Sequence, residues 1–183
     1  RQRQMCIRDS LQAEVELNGE CVAATGEAFT AYELRQRKAD VPRFSFQRPF
    51  TEYYILTPDF DAWACDPAWD AAAATAVTLA EQPAKQLLQR RVAYPDYRVH
   101  EAKPIQGGIY KFDCNSSGFL GIEVEVTEPS RLKVSFDELL TADGHVNIGR
   151  LGCQAYVTYE LQPGKYRLES FEPYTCLLYT SPS

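Results

Sequence analysis

At 183 residues, 45% apolar and 12% aromatic, the chain is too hydrophobic to remain disordered. Its formal charge of −6, with basic residues scattered among acidic ones, offers no basic stripe to a nucleic-acid backbone. No apolar run has the length that crosses a bilayer, so neither nucleic acid nor membrane is an expected partner.

The opening RQRQMCIRDS lacks the ordered basic, apolar and cleavage regions of a secretory signal. One DNA inverted repeat accounts for both ends of the chain. ATGTGTATAAGAGACAG encodes Met5 to Asp9, and its reverse complement, read one base in, encodes Cys176 to Thr180. That repeat resembles a transposon-end adapter used in sequencing libraries. Residues 1–10 and 176–183 are therefore expected to be adapter translation, outside fold reasoning, and residues 11–175 the interior of a longer protein. Within 11–175, Cys21, Cys65, Cys114 and Cys153 are far apart, with no close pair and no help from His100 or His145 toward zinc. They read as small apolar side chains, and unpaired thiols lean toward a cytoplasmic setting. No metal site and no cofactor is expected.

The first predicted element is a hairpin over residues 13–26, AEVELNGECVAATG, turning at Asn18-Gly19. PRFSFQRPFTEYYIL, residues 42–56, is rich in aromatic and β-branched residues and predicts strand. Asp59, Asp61 and Asp66 offer carboxylates to calcium but lack EF-hand spacing. Trp63, beside Asp59 and Asp61, is placed for exposure and could stack on a pyranose ring, whereas Trp69 suits a core. Residues 70–79 are open to two readings: alanine propensity favours helix, while Thr75, Val77, Thr78 and Leu79 would serve in a strand. EQPAKQLLQRRVAYPDY has two prolines and little period, and reads as a connector.

Beyond it the pattern is clearer. GGIYKFDC follows a Gly-Gly break. Leu120, Ile122, Val124 and Val126 then alternate with Glu123 and Glu125, and after the EPS turn Leu132, Val134 and Phe136 alternate with Lys133 and Ser135. ADGH is a further turn, QAYVTYEL alternates again, and Pro163-Gly164 leads into KYRLESFEP. Short strands with one polar face, separated by closely spaced turns, predict an all-β fold, an antiparallel jelly-roll-like sandwich.

No catalytic pair stands out. Asp137 and Glu138 are adjacent, and strand alternation would send them to opposite faces. Glu138 is expected to pair with Arg150 and pin the Asp-Gly loop, or else to face a sugar. There is no nucleophile elbow and no phosphate loop.

The stretch IYKFDCNSSGFLGIEVEVTEPSRLKVSFDELLTADGHVNIGRLGCQAYVTYELQPGKYRLESFEPYT resembles the β-sandwich before the catalytic domain of bacterial α-L-rhamnosidases. The correspondence runs through Phe112 and Asp113, Gly118 to Val126, Glu138, Asp143-Gly144, Arg150, Tyr156 to Leu161 and Phe171. Upstream, SFQRPFTEYYIL and the stretch from Asp66 to Trp69 look like the accessory sandwich of the same proteins, and PAKQLLQRRVAYP like their connector. The resemblance implies a partial accessory sandwich at 11–80, with residues 71–80 as strand, a connector at 81–104 and a concanavalin-like sandwich at 105–175. It also implies an inverting, (α/α)6 catalytic domain elsewhere in the parent protein, and a rhamnose-containing glycan as its partner. No catalytic residue is expected in this chain, and carbohydrate contact is expected of Trp63, Asp61 and Glu138. The alternatives are a free-standing carbohydrate-binding sandwich, discriminated by titration with sugars, and a purely structural scaffold.

Overall fold

A computed structural model describes residues 13–26, 29, 31, 33, 35–48, 50–62 and 91–180. The chain divides into two compact units, Arg1–Leu34 with Pro67–Arg90, and Arg35–Asp66 with Arg91–Ser183. Trp63, Trp69, Cys65, Asp66 and the helix-or-strand question over residues 70–80 lie outside the described residues.

In the first unit, β1 (Glu14–Leu17) and β2 (Glu20–Ala24) form an antiparallel hairpin with Leu17 opposite Glu20. Asn18 and Gly19 have φ of 53° and 83°. Two left-handed residues match the twist of the flanking strands, and Asn-Gly enters that region at small cost. The hairpin forms where the sequence places it.

The second unit is an all-β sandwich. Its strands are β3 (Glu52–Leu56), β4 (Lys103–Pro104), β5 (Ile109–Gly118), β6 (Gly121–Val126), β7 (Ser130–Asp137), β8 (Tyr156–Leu161), β9 (Gly164–Glu169) and β10 (Tyr174–Thr180). Six form one sheet in the order β3-β8-β7-β10-β5-β4, and β6 pairs with β9 in a two-stranded ribbon. The β3–β8 pair is parallel and the other pairs are antiparallel. Leu132, Val134 and Phe136 of β7 are 5%, 2% and 3% exposed, the inward face that alternation predicts. Ile122, Val124 and Val126 of the ribbon pack on the same core, which also holds Val157, Tyr159, Leu161 and Leu168. Each fully buried aliphatic side chain among them contributes about 1.5–3 kcal/mol by leaving water. Outward, Glu123 faces Arg167 and Glu125 faces Lys165 across the ribbon.

Two elements differ from the sequence expectation. β3, which the sequence groups with residues 11–80, pairs with β8 of the downstream segment, Tyr54 opposite Tyr159 and Leu56 opposite Leu161. Tyr54 and Leu56 are buried there, so the alternating face of EYYIL completes the edge of the large sheet. The second difference lies at residues 176–180. Set aside from fold reasoning as adapter translation, they make up most of β10, between β5 and β7. Tyr174, Cys176 and Leu178 are 2%, 3% and 4% exposed. A strand position in a sheet tests for apolar side chains at period two, and YTCLLYT supplies them whatever the origin of its codons.

Glu52 of β3 is fully buried. Its Oε2 accepts hydrogen bonds from the Tyr54 hydroxyl and the Phe171 N–H, each at 2.8 Å. Its Oε1 accepts from the Glu172 N–H at 2.9 Å and the Tyr174 hydroxyl at 2.7 Å. An unpaired buried carboxylate is costly, and four donors offset that cost. The result ties β3 to the corner that leads into β10.

Candidate functional site

The polar cluster that the fold assembles lies at the end of β7. Asp137 closes that strand, and Glu138 follows it. Because the strand stops there, alternation no longer governs Glu138, and the two carboxylates converge on one guanidinium. Arg150 Nε lies 2.7 and 2.9 Å from the two oxygens of Asp137, and Arg150 Nη2 lies 2.6 Å from Asp137 Oδ1 and 2.9 Å from Glu138 Oε2. The expectation of opposite faces for Asp137 and Glu138 is thus corrected. Glu138 and Arg150 are in contact, and the better-buried carboxylate, Asp137, shares the same arginine.

Local structure explains why Arg150 arrives there. Thr141 and His145 close the Asp143-Gly144 turn: the Thr141 N–H donates to the His145 carbonyl at 2.8 Å, and the His145 N–H donates to Thr141 Oγ1 at 2.9 Å. Asn147 Oδ1 then accepts from the Gly149 N–H at 3.0 Å, an Asx-type turn into the short helical turn Arg150–Gly152. On the other side, Asn115 of β5 donates its side-chain amide to Glu138 Oε1 at 3.0 Å.

The side chains of Asp137, Arg150 and Glu138 are 6%, 31% and 40% exposed, so the cluster grades from buried anchor to open carboxylate. Hydrogen bonds from Asn115 and then Arg150 hold the Glu138 carboxyl below the usual carboxylate range. Asp137 and then Glu138 push the Arg150 guanidinium further up, so it stays charged. Charge-assisted, two-pronged pairing of this kind fixes a loop more firmly than neutral hydrogen bonds do.

Beside the cluster is an open cleft of about 190 Å³. Phe44, Phe136 and Ala155 give it apolar walls, Asn147 and Glu138 give it polar ones, and Leu151 lies against it. Leu151 has a φ of 56° and is 85% exposed. A non-glycine residue in the left-handed region costs about 1–2 kcal/mol, and exposing its side chain forgoes any burial gain. A smaller cleft of about 50 Å³ is lined by Arg37, Phe44, Arg48, Phe50, Glu172 and Tyr174. There the Arg48 guanidinium lies 5.4 Å from the ring centre of Phe44 and 5.3 Å from that of Tyr174.

Of the candidates for carbohydrate contact, Glu138 is in the main cleft, Asp61 is exposed and outside its lining, and Trp63 lies outside the described residues. Among the described residues, no three His, Cys, Asp or Glu side chains gather as metal ligands, and Asp66 of the calcium set lies outside them. Sequence reasoning missed Asn115, Asn147 and Leu151. Asn147-x-Gly149 was a readable turn signal, but nothing local to Asn115 or Leu151 reveals a neighbour from another strand.

No family model, no curated protein and no solved structure matches the chain.

Proposed function

We propose that this chain is a non-catalytic β-sandwich part of an α-L-rhamnosidase-like glycoside hydrolase, supporting an (α/α)6 catalytic domain that hydrolyses terminal rhamnosides. The observation that carries this reading is the ordered run of motifs from Phe112 to Phe171, on the strands and connecting loops of one sandwich. Within it, Glu138, the Asp143-Gly144 turn and Arg150 belong to one clamped loop.

The chemistry of the cluster agrees with a supporting role. Inverting hydrolysis needs a protonated carboxyl on one side of the glycosidic bond and a carboxylate with its water on the other. Asp137 and Glu138 share one guanidinium, and Glu138 is held ionised rather than protonated. Glu138 is thereby unsuited to act as a general acid, and both oxygens of Asp137 are committed to Arg150. The chain alone is therefore expected to leave an aryl α-L-rhamnoside intact, whereas the protein encoded by the complete source gene hydrolyses it with inversion. Turnover by this chain, or an inert product of the complete gene, would overturn the reading.

A second reading, a carbohydrate-binding sandwich in a parent of any activity, is favoured by one feature. Glu138 is the most exposed member of the cluster and borders a cleft.

A further inference from the structure

We propose that the cleft between Glu138, Asn147 and Leu151 is a binding site for a single neutral sugar ring, recognised through its hydroxyls and one apolar face. The proposal takes its ligand class from the carbohydrate reading above. Its siting depends only on the residues of the cleft.

Three observations converge. The first is size and composition. The cleft of about 190 Å³ could hold about six waters at roughly 30 Å³ each, a space fit for one ring rather than a chain of them. Apolar side chains such as Phe44, Phe136 and Leu151 and polar ones such as Glu138, Asn147 and Arg150 share its lining about equally, a mixture suited to a ligand with both hydroxyls and an apolar face.

The second is the state of the polar groups. A carboxylate oxygen can accept two hydrogen bonds. Glu138 Oε1 takes one from Asn115 and Oε2 takes one from Arg150, which fixes the side chain and leaves acceptor capacity on both oxygens. An immobilised carboxylate of this kind can accept from two neighbouring hydroxyls with little further ordering. Two carboxylates against one guanidinium leave the cluster net negative, so a uronate or phosphate is repelled and a neutral polyol is not.

The third is Leu151. It combines a left-handed backbone with an 85% exposed apolar side chain at the cleft. The Arg150 clamp does not need that side chain, because glycine would make the same turn with less strain. A leucine held outward there presents an apolar surface to the C–H face of a ring.

The test is a calorimetric and NMR titration of the chain with L-rhamnose, D-glucose and D-galacturonate. Saturable binding of at least one neutral sugar is expected, with none of galacturonate. Leu151→Gly should keep or raise the thermal midpoint while weakening binding tenfold or more. Glu138→Gln should weaken it similarly. The proposal is overturned if no neutral sugar binds, if galacturonate binds as well as the neutral sugars, or if both cleft variants bind normally. Binding of glucose but not rhamnose through the cleft upholds the site and removes rhamnose as its ligand. Rhamnosidase activity of the complete gene product without any cleft binding removes the site alone.

Discussion

Glu52 contributes most where its charge is least visible to solvent. Its two oxygens meet only donors, so the neutral amide of Glu52→Gln would turn an N–H toward hydroxyl and backbone N–H groups that also donate. Losing charge-assisted bonds inside the core should cost about 2–4 kcal/mol. A urea midpoint equal to that of the parent chain would show that the four contacts do not hold the corner. Cys176 allows an independent check of the same region. Burial first, and then the nearby Glu138 charge, pushes its thiol up to about 11, and it is 3% exposed. At pH 8 a thiol reagent should modify the exposed Cys21 and Cys114 within minutes, and Cys176 only after denaturant is added. Prompt labelling of Cys176 in the folded chain would place it outside the sheet.

At the scale of elements, β10 is the strand on which the sandwich depends most. It carries the pairings to both β5 and β7, with Tyr179 opposite Phe136 on one side and Tyr110 on the other. Deleting residues 176–183 would leave β5 and β7 with facing unpaired edges and would uncover the Phe136–Tyr174 contact, whose ring centres are 4.4 Å apart. The shortened chain should lose its sheet signal in circular dichroism and aggregate on size exclusion; a folded monomer would contradict this placement of β10. Strands β6 to β9 were legible in the sequence because each carries its own period-two pattern and is bounded by a turn. The Asn18-Gly19 hairpin was legible because two residues alone specify it. The parallel pairing of β3 with β8 was not, since Tyr54 and Tyr159 are brought together by tertiary packing that leaves no local mark. β10 is visible in the period-two pattern of YTCLLYT, but reading residues 176–180 as adapter translation leaves that pattern out of the fold. The Arg150 clamp was half legible. The Glu138–Arg150 pair could be read from the loop between them, but the role of Asp137 depends on where β7 ends, and strand ends are the least specified feature of an alternating run.

For the molecule as a whole, the ionisable groups set limits to stability on both sides of neutrality. On the acid side, Glu138 is lowered by Asn115 and Arg150, Glu160 by Tyr53 and Arg131, and Asp113 by Lys103. A carboxyl with a lower pKa in the folded state contributes stability that is present above its unfolded value, near 4, and is lost as pH falls through the folded value. These groups are exposed or partly exposed, so the acid limb should be shallow and should flatten in high salt. On the alkaline side, Tyr54, Tyr159 and Tyr174 are raised, chiefly by burial, with the Glu52 charge adding to the shift in each. Here the sign reverses. The unfolded tyrosines lose their protons near pH 10 while the buried ones cannot, so stability is complete below that value and falls steadily above it. Glu52→Gln should soften this limb by removing a negative charge beside all three hydroxyls. The thermal midpoint should therefore be level from about pH 5 to 9, and should fall gently below and more steeply above. Ultraviolet titration of tyrosinate supplies the decisive comparison. Exposed tyrosines should ionise reversibly near pH 10, and the buried three only together with loss of the circular dichroism signal. If every tyrosine ionised near pH 10 while the sheet signal persisted, Tyr54, Tyr159 and Tyr174 could not be buried in the core as described.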